Sequence, residues 1–468
     1  MSKTKQVVVI GGGITGLTAA YYLQKTIQQE NLPIQIKLLE AGPKLGGKIQ
    51  TERKDGFVIE RGPDSFLARK QSASRLAREL GLEDQLVRNA TGKSYILANS
   101  RLHEMPKGAF MGIPTEVTPF LVSSLFSVRG KLRAGLDFIL PKGEPKEDQS
   151  LGAFFRRRLG DEVVENLIEP LLSGIYAGDI DQLSLMATFP NFYHLEQKHR
   201  SLVKGLKKTV SKQKSGSGKK QGMFLTLKSG LETMVEALER QLGPGSVHKE
   251  TPVDHIEKGA DGYHVFLKGG DRLYADSIIL AVPHNHAQKI FSQYDFMHMF
   301  KEQPATSVAN VAMAFDDKDI KKDIDGTGFV VSRNSDYRIT ACTWTHKKWP
   351  HTTPDGHALL RCYVGRPGDE EVVDLPDEEM ENIVLKDLNK TMNITARPAF
   401  RVITRWKDAM PQYTVGHKQR VNTVKENMKT YLPGIFLSGS SYEGLGVPDC
   451  IDQGEQAAGY VLDFLNKK

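Results

Sequence analysis

A glycine-rich turn close to the amino terminus restricts the fold of this chain more than any other feature. The β-branched run at residues 7–10 predicts a strand buried on both faces, and the small residues after Gly16 predict a helix. Between them, Gly11, Gly13 and Gly16 fit the pattern G-x-G-x-x-G. In that pattern the first glycine permits a tight turn, the second lets the backbone approach a pyrophosphate, and the third lets the helix pack closely on the strand. The pattern predicts an α/β fold with a doubly wound, Rossmann-like sheet that binds a dinucleotide.

Glu40 follows a second predicted strand at residues 34–39. Its separation from the glycine turn is close to the roughly 20 residues expected for an acid that binds ribose hydroxyls. A carboxylate at this position repels a 2′-phosphate, which disfavours NADP as the ligand. Gly46, Gly47 and Lys48 come next, and we expect them to bring backbone N–H groups and a cation to the phosphates.

Composition and charge exclude several classes of protein. The chain has 468 residues, enough for two or three domains, and its net charge of +7 is too mild to argue for nucleic acid. Cys342, Cys362 and Cys450 are far apart, and the 13 histidines lack metal-ligand spacing, so neither disulfides nor a metal site are predicted. So few cysteines favour a reducing, cytoplasmic compartment. A core strand begins at Val7 and no apolar window approaches 18 residues, so we expect neither a signal peptide nor a membrane-spanning helix.

The order of the predicted elements divides the chain into three regions. Residues 1–90, 222–298 and 406–468 show the pattern of buried strands and helices that a discontinuous nucleotide-binding domain requires. Residues 91–221 are mainly helical, and residues 299–405 alternate in a way that predicts a separate antiparallel sheet.

Two segments of the helical region have unusual compositions. Residues 118–126 are the most apolar surface candidate, and they suit contact with a membrane surface, the wall of a pocket or a buried helix. Residues 204–222 are rich in lysine, serine and glycine, which predicts an exposed loop.

Several segments, taken together, are typical of one enzyme superfamily. They are residues 7–17, 46–51, 59–67, 166–179, 339–344, 405–406, 410–413 and 446–454. On these segments the chain resembles the flavin-containing amine oxidase and protoporphyrinogen oxidase superfamily, and within it the soluble coproporphyrinogen III oxidases of Gram-positive bacteria. The likeness spans essentially the whole chain. The first two segments are specific only to the superfamily, whereas residues 171–179 and 446–454 are far more specific.

The resemblance implies a non-covalent FAD cofactor, a helical domain that touches lipid in membrane-bound relatives, and a sheet domain for the substrate. Relatives that bond the flavin covalently use a cysteine in the last loop, where this chain has Ser440 and Ser441. Flavin N5 is expected to perform the chemistry, so no catalytic side chain is assigned with certainty. The residues implied to contact FAD are Gly11, Gly12, Gly13, Ile14, Thr15, Gly16, Leu17, Glu40, Ala41, Lys48, Gly62, Pro63, Asp64, Ser65, Val253, Trp406, Val447, Pro448, Asp449, Cys450 and Ile451.

The resemblance also implies oxidation of coproporphyrinogen III to coproporphyrin III in haem biosynthesis, with O2 as acceptor and H2O2 as product. A coproporphyrin ferrochelatase is the implied partner for the product, and membrane contact is at most peripheral. A protoporphyrinogen IX oxidase is the first alternative, and an amine oxidase or a non-catalytic flavoprotein are the others. Four substrate carboxylates rather than two favour a more basic pocket, and an amine oxidase needs an aromatic cage, for which the tail offers only Tyr442.

Four residues are interpreted as substrate contacts, and each has a structural alternative. Ile175 is expected to form an apolar wall near the flavin, or else to pack in the core. Arg69 and Lys70 are expected to bind substrate carboxylates, or else to be surface charges. Tyr363 suits stacking or hydrogen bonding, and equally a strand position in the core. Close relatives are often basic at the position where this chain has Gln71, so a propionate contact there is lost or weakened.

Overall fold

The structure is a computed structural model that describes residues 4–106, 108–114, 116–213 and 222–467. In chain order the described strands are β1 Lys5–Ile10, β2 Ile34–Leu39, β3 Thr51–Lys54, β4 Phe57–Glu60, β5 Phe66–Leu67, β6 Leu86–Arg88, β7 Tyr95–Ala98, β8 Arg101–Glu104, β9 Ala109–Phe110, β10 Ile113–Pro114, β11 Phe224–Leu227, β12 Val247–His248, β13 Val253–Lys258, β14 Tyr263–Leu267, β15 Arg272–Ala275, β16 Ser277–Leu280, β17 Ala305–Asp316, β18 Gly328–Val331, β19 Ile339–Trp344, β20 His357–Val364, β21 Phe400–Pro411 and β22 Ile435–Leu437.

The described α-helices, also in chain order, are α1 Ile14–Glu30, α2 Gln71–Glu79, α3 Val117–Val122, α4 Val128–Gly135, α5 Leu151–Leu159, α6 Asp161–Val163, α7 Glu169–Tyr176, α8 Leu185–Thr188, α9 Pro190–His199, α10 Leu202–Gln213, α11 Glu232–Gln241, α12 His284–Ile290, α13 Thr345–Lys348, α14 Asp377–Met392, α15 His417–Tyr431 and α16 Val447–Lys467. A π-helical turn at Val164–Ile168 joins α6 to α7. Short 3-10 turns cover Glu83–Gln85, Leu136–Phe138, Asp295–Phe300, Asp317–Asp319, Pro350–Thr352 and Glu370–Asp374.

Five parallel strands form the sheet that carries the glycine turn. Their order is β12-β2-β1-β16-β22, with β1 at the centre. Residues 7–10 of β1 are buried, as their uninterrupted β-branched run predicts. One face of the sheet packs against α1 and α16, and the other packs against α15. The predicted α/β fold is therefore confirmed, and the carboxyl ends of the strands meet at the edge where such a sheet binds its ligand.

A seven-stranded sheet lies beside this domain. Its order is β21-β17-β20-β19-β18-β7-β8, and it is antiparallel except for the β18–β7 pair. β7 and β8 come from the stretch that was predicted as helical, and β21 runs through the predicted boundary at residues 405–406. Asn99 and Ser100 join β7 to β8 with φ angles of 50° and 59°, which is the geometry of a two-residue hairpin. The seven-stranded sheet therefore includes strands that lie before residue 299 and residues that lie after residue 405, the two predicted limits of the sheet domain.

α10 corrects a second expectation. Residues 204–213 are helical, so the predicted exposed loop is wrong for that stretch, and its remaining residues 214–221 lie outside the described residues. Leu202, Val203 and Leu206 are buried at helical spacing, and this short apolar stripe outweighs the lysine-rich composition. Within the described ranges no helix combines the length and apolarity needed to cross a bilayer.

An apolar patch lies on α3, α4 and the turn that follows them. It consists of the exposed side chains Val117, Leu121, Val122, Val128, Leu132, Leu136 and Ile139. Phe120, Leu125 and Phe126 lie beneath it and are buried. The apolar segment at residues 118–126 is therefore amphipathic, with one side in the core and the other in solvent.

Candidate functional site

The glycine turn joins β1 to α1 and leaves an open backbone surface at Gly13. Gly11 has a φ of +106°, and a Cβ there would lie 2.4 Å from the Ala281 carbonyl oxygen. A Cβ on Gly16 would lie 1.9 Å from the Gly11 carbonyl oxygen, so only glycine lets α1 pack this closely. A Cβ on Gly13 would meet no atom within 4 Å. Gly13 caps α1 without a side-chain hydrogen bond, so the first N–H groups of the helix remain available to an anion.

Glu40 lies at the carboxyl end of β2, beside the glycine turn. Its Oε2 accepts the N–H of Gly12 at 2.7 Å, and its Oε1 accepts the N–H of Gly42 at 2.7 Å. These two bonds fix the carboxylate at the edge of the sheet, where a ribose-binding acid is expected. Thr251 donates its N–H to the Glu40 carbonyl oxygen at 2.8 Å, which brings Val253 at the start of β13 to the same edge.

Lys48 supplies a cation beside the glycine turn. The N–H of Gly46 donates to the Gly12 carbonyl oxygen at 2.8 Å, which holds the second glycine loop against the first. Lys48 Nζ donates to the Ala409 carbonyl oxygen, and among the described residues no carboxylate is paired with it. Burial lowers the pKa of the Lys48 ammonium. A partly buried cation without a carboxylate is stabilised by an anion such as a phosphate.

The last helix, α16, brings its amino end to the same place. A Cβ on Gly454 would lie 2.4 Å from the Thr15 carbonyl oxygen, so α16 and α1 cross in close contact. Burial raises the pKa of the Cys450 thiol to about 11, although Lys48 is near enough to oppose the shift. The predicted first-turn residues Val447, Pro448, Cys450 and Ile451 are all buried. Two helix amino ends and Lys48 therefore converge at one edge of the parallel sheet, and this combination attracts anions.

The turn at residues 60–62 is held by side chains from the seven-stranded sheet. Asn310 on β17 donates its Nδ2–H groups to the carbonyl oxygens of Glu60 at 3.1 Å and Arg61 at 3.3 Å. Trp406 on β21 donates its Nε1–H to the Arg61 carbonyl oxygen at 2.9 Å. The ring of Trp406 is thus fixed beside the turn, in the region predicted to contact the cofactor.

Arg361 on β20 completes these contacts. It is fully buried, and its Nη2 donates to the Gly62 carbonyl oxygen at 2.8 Å. Its Nη1 lies 3.4 Å from the Asp64 carboxylate, and its guanidinium carbon lies 5.6 Å from the ring centroid of Tyr363. In the described part of the chain neither Nε nor Nη1 has a hydrogen-bond partner. We refer to Asn310, Arg361 and Trp406 as the carbonyl clamp.

Asp64 is the anion of this region. Its Oδ2 accepts Lys348 Nζ at 2.8 Å and Trp349 Nε1 at 3.3 Å, and its Oδ1 accepts the Ser65 hydroxyl at 2.7 Å. Burial alone would raise the pKa of the Asp64 carboxyl, but Lys348 and Arg361 overcome that effect and hold the pKa well below its ordinary value. Asp64 is therefore ionised and ties the turn to the sheet.

Glu60 is a second buried carboxyl group close to the turn. Its Oε1 accepts the N–H of Leu231 at 2.6 Å, and its Oε2 lies 2.8 Å from the Thr51 hydroxyl. Burial raises the pKa of Glu60 to about 7, and these hydrogen bonds oppose the shift only in part. The charge of this region therefore changes near neutral pH.

The residues predicted to bind substrate are only partly brought together. Lys70 forms an ion pair with Asp449 on the first turn of α16. Ile175, the penultimate residue of α7, has 48% of its surface exposed and lies next to Tyr176, whose pKa is raised by burial and by Asp449. Arg69 is exposed. Lys70 therefore lies against Asp449 and Ile175 lies next to Tyr176, whereas Tyr363 lies on β20 beside the carbonyl clamp.

The sequence reasoning missed several polar residues of the site. Asn310 and Arg361 are buried in strands whose other residues are largely apolar, and Lys348 precedes a buried tryptophan. An arginine or asparagine within such a run is the signal that was available, because these residues are rarely buried without a partner.

Comparisons with known proteins agree with one another. The chain matches the family model described as flavin containing amine oxidoreductase over residues 14–462. It is 56% identical to the coproporphyrinogen III oxidase of Bacillus subtilis (strain 168), with 98% of each chain covered. It is 44% identical to the coproporphyrinogen III oxidase of Staphylococcus aureus (strain NCTC 8325 / PS 47), over 98% of this chain and 99% of that one. The solved structure of a putative protoporphyrinogen oxidase from Exiguobacterium sp. 255-15 is 40% identical, with a TM-score of 0.88 and 99% of both chains covered.

Proposed function

Because the chain belongs to the flavin-containing amine oxidoreductase family, we propose that it is an FAD-dependent oxidase that converts coproporphyrinogen III to coproporphyrin III in haem biosynthesis. The observation that carries the proposal is its 56% identity to a relative named coproporphyrinogen III oxidase over 98% of both chains. FAD held at the glycine turn would supply the hydride acceptor for oxidation of the porphyrinogen, with O2 as the final acceptor of each electron pair and H2O2 as product.

The residues at the glycine turn fit FAD. The open backbone at Gly13 leaves room for a pyrophosphate, and the uncapped end of α1 offers N–H groups to it. Lys48 supplies a positive charge that no described carboxylate neutralises. Glu40 lies where its carboxylate can accept hydrogen bonds from ribose hydroxyl groups, in exchange for the bond from the N–H of Gly12 or Gly42.

FAD binding is proposed to be non-covalent. Ser440 and Ser441 occupy the loop in which covalent relatives carry a cysteine. Cys450 is buried, and burial raises its thiol pKa to about 11, so the thiol is protonated at neutral pH and is a poor nucleophile. Release of intact flavin from denatured protein tests this point.

The substrate is proposed to lie against Ile175, with its carboxylates near Arg69 and Lys70. Ile175 exposes an apolar surface that suits a tetrapyrrole face. Lys70 is paired with Asp449, so a substrate carboxylate that reaches Lys70 replaces that partner. Tyr363 is proposed as a second contact on the sheet side, where its hydroxyl and ring suit hydrogen bonding or stacking.

Purified protein tests the main proposal. We expect a yellow holoenzyme that produces fluorescent coproporphyrin III from coproporphyrinogen III and consumes O2 with formation of H2O2. Flavin-loaded protein that leaves coproporphyrinogen III unchanged would contradict the proposed substrate.

A protoporphyrinogen IX oxidase is the second candidate, because the similar Exiguobacterium structure carries the name of a putative protoporphyrinogen oxidase. The cations proposed for the substrate site, Arg69 and Lys70, favour coproporphyrinogen, which carries four carboxylates rather than two. Rates with the two porphyrinogens, measured side by side with a primary amine as a third substrate, distinguish these activities from an amine oxidase.

Lys70 can be tested against a matched lysine. Lys25 also has 38% of its side chain exposed and pairs with a carboxylate, Glu79, at 2.8 Å. We expect K70M to raise the KM for coproporphyrinogen about tenfold with little change in kcat, because it removes one charged contact made in the ground and transition states alike. K25M should leave both constants unchanged, and equal effects of the two variants would exclude a specific role for Lys70.

A cytoplasmic location with at most peripheral membrane contact is also proposed. The three cysteines are free and buried, as a reducing compartment allows. The apolar patch, with Arg129 and Lys131 on the same helix, suits the surface of an anionic bilayer. Co-sedimentation with anionic vesicles tests this contact, and an L132E change should abolish it.

The porphyrin product calls for an enzyme that inserts a metal, so a coproporphyrin ferrochelatase is the proposed partner.

A further inference from the structure

The turn at residues 60–62 has all its carbonyl groups directed into the seven-stranded sheet. Because every described peptide bond is trans, and a trans peptide places its N–H opposite its C=O, the N–H of Gly62 points away from the sheet. In the part of the chain that the structure describes, the N–H groups of Gly62, Asp64 and Ser65 donate to no residue. Gly62 therefore offers a free donor on the side that the carbonyl clamp does not occupy.

We infer that Asn310 and Arg361 are positioning residues, which together with Trp406 orient this turn so that the free N–H of Gly62 meets the flavin. The inference rests on the proposed function, because it takes the flavin as the ligand of the turn. The isoalloxazine ring carries carbonyl oxygens and ring nitrogens that accept hydrogen bonds, so backbone donors are complementary to it. A reduced ring would carry more negative charge, and a donor held in place by the clamp would stabilise that charge.

The arrangement of the clamp supports a positioning role. Its three side chains come from β21, β17 and β20, which are neighbours in the sheet, and they reach three successive carbonyl groups. Arg361 is fully buried and its Nη1 forms an ion pair with Asp64, but neither Nε nor Nη1 has a hydrogen-bond partner in the described chain. Burying a cation in this way costs stability, and an apolar residue of similar size is often more stabilising at such a site. Packing alone therefore does not account for Arg361.

Arg405 provides a matched control on the same sheet. It donates Nε to the Val373 carbonyl oxygen at 2.9 Å and Nη2 to the Leu375 carbonyl oxygen at 2.6 Å, and it pairs with Asp377 at 2.7 Å. It also holds backbone carbonyl groups and a carboxylate, but because it neighbours Trp406 in the strand it faces the other side of the sheet.

The experiment measures the flavin itself and needs no porphyrinogen. Apoprotein of the wild type, R361M, R361K, N310A and R405M is titrated with FAD, and the reduction potential of the bound flavin is measured for each. We expect R361M and N310A to weaken FAD binding about tenfold and to lower the potential. R361K should recover part of both losses, because it keeps the charge, and R405M should match the wild type.

Two results separate the possible failures. Circular dichroism identifies the variants that fold, and if R361M does not fold, R361K and N310A carry the same comparison. Folded clamp variants with wild-type affinity and potential would overturn the inference, as would an equal loss in R405M. A wild type that binds FAD but oxidises no porphyrinogen would instead refute the proposed function and leave the flavin measurements intact.

Discussion

Replacement of Asp64 by asparagine tests how the turn is tied to the sheet. Asparagine has nearly the same shape, and its oxygen can still accept Trp349 Nε1, which lies 3.3 Å from Asp64 Oδ2. The change removes the negative charge that faces Lys348 and Arg361, both of which are buried or nearly so. Two cations then lie in the protein interior without their counter-ion.

The structure gives the size of the effect. Lys348 Nζ lies 2.8 Å and Arg361 Nη1 lies 3.4 Å from Asp64 Oδ2, which corresponds to attractions of about 6 and about 5 kcal/mol at an effective dielectric constant of about 20. Most of that attraction offsets the cost of burying the three charges, but removal of one partner leaves the cost uncompensated. We therefore expect D64N to lower the free energy of unfolding by about 3–5 kcal/mol at pH 7.

Urea unfolding at a fixed FAD concentration measures this loss. The two cations hold the pKa of Asp64 below that of an unfolded chain, so its contribution is complete at pH 7 and declines from about pH 5 downwards. The difference in the free energy of unfolding between wild type and D64N should therefore decrease as the pH falls below about 5. D316N is the control, because Asp316 pairs with Lys318 at 2.7 Å in solvent and should not affect the midpoint. Equal urea midpoints for D64N and wild type at pH 7 would refute the reasoning. The double variant D64N/K348M also removes the cation that D64N leaves without a counter-ion, and it should recover part of the lost free energy of unfolding.

Three further changes test other parts of the site. G16A places a Cβ against the Gly11 carbonyl oxygen and should lower the melting temperature and release flavin, whereas G459A, whose Cβ meets no atom within 4 Å, should stabilise α16 slightly. K48M should weaken FAD binding about tenfold in titrations of apoprotein, and unchanged affinity would exclude a role in phosphate binding. Burial raises the pKa of Glu60 to about 7, so the folded protein holds a proton that the unfolded chain releases. Wild type should therefore lose about 3 kcal/mol of stability relative to E60Q as the pH rises from about 4.5 to about 7. A difference between the urea midpoints of wild type and E60Q that stays constant over this range would contradict the raised pKa of Glu60.

The parts of the fold that depend on neighbours in the chain were predictable. The strand, turn and helix around Gly11 and Gly16 follow from a short pattern, because their contacts form within about one turn of helix. The hairpin of β7 and β8 was not predicted, because its strands are only four residues long and its turn residues, Asn99 and Ser100, are polar without a glycine. α10 was not predicted, because the lysine-rich composition was a stronger signal than the three apolar residues that are buried in it, Leu202, Val203 and Leu206.

The candidate site divides in the same way. Gly13, Glu40 and Lys48 lie in or near the first two strand ends, and the sequence predicted their place at the edge of the sheet. The carbonyl clamp joins residues separated by 250 to 345 positions in the chain, and no local pattern specifies which distant strand supplies the donors. The signal that remains in the sequence is the cost of burying a polar side chain, which indicates that a partner exists but does not identify it.

The junction between the two large sheets combines two kinds of contact with different consequences. On β4, Phe57 and Ile59 pack on apolar residues of β17 and β20, and this contact is non-directional and supplies stability. At residues 60–64, directly after these apolar residues, the contact becomes polar, with Asp64 and the carbonyl clamp in fixed geometry. Hydrogen bonds and ion pairs there add little net stability, but each permits only a narrow range of distances and angles. The polar half therefore sets the orientation of the turn relative to the sheet.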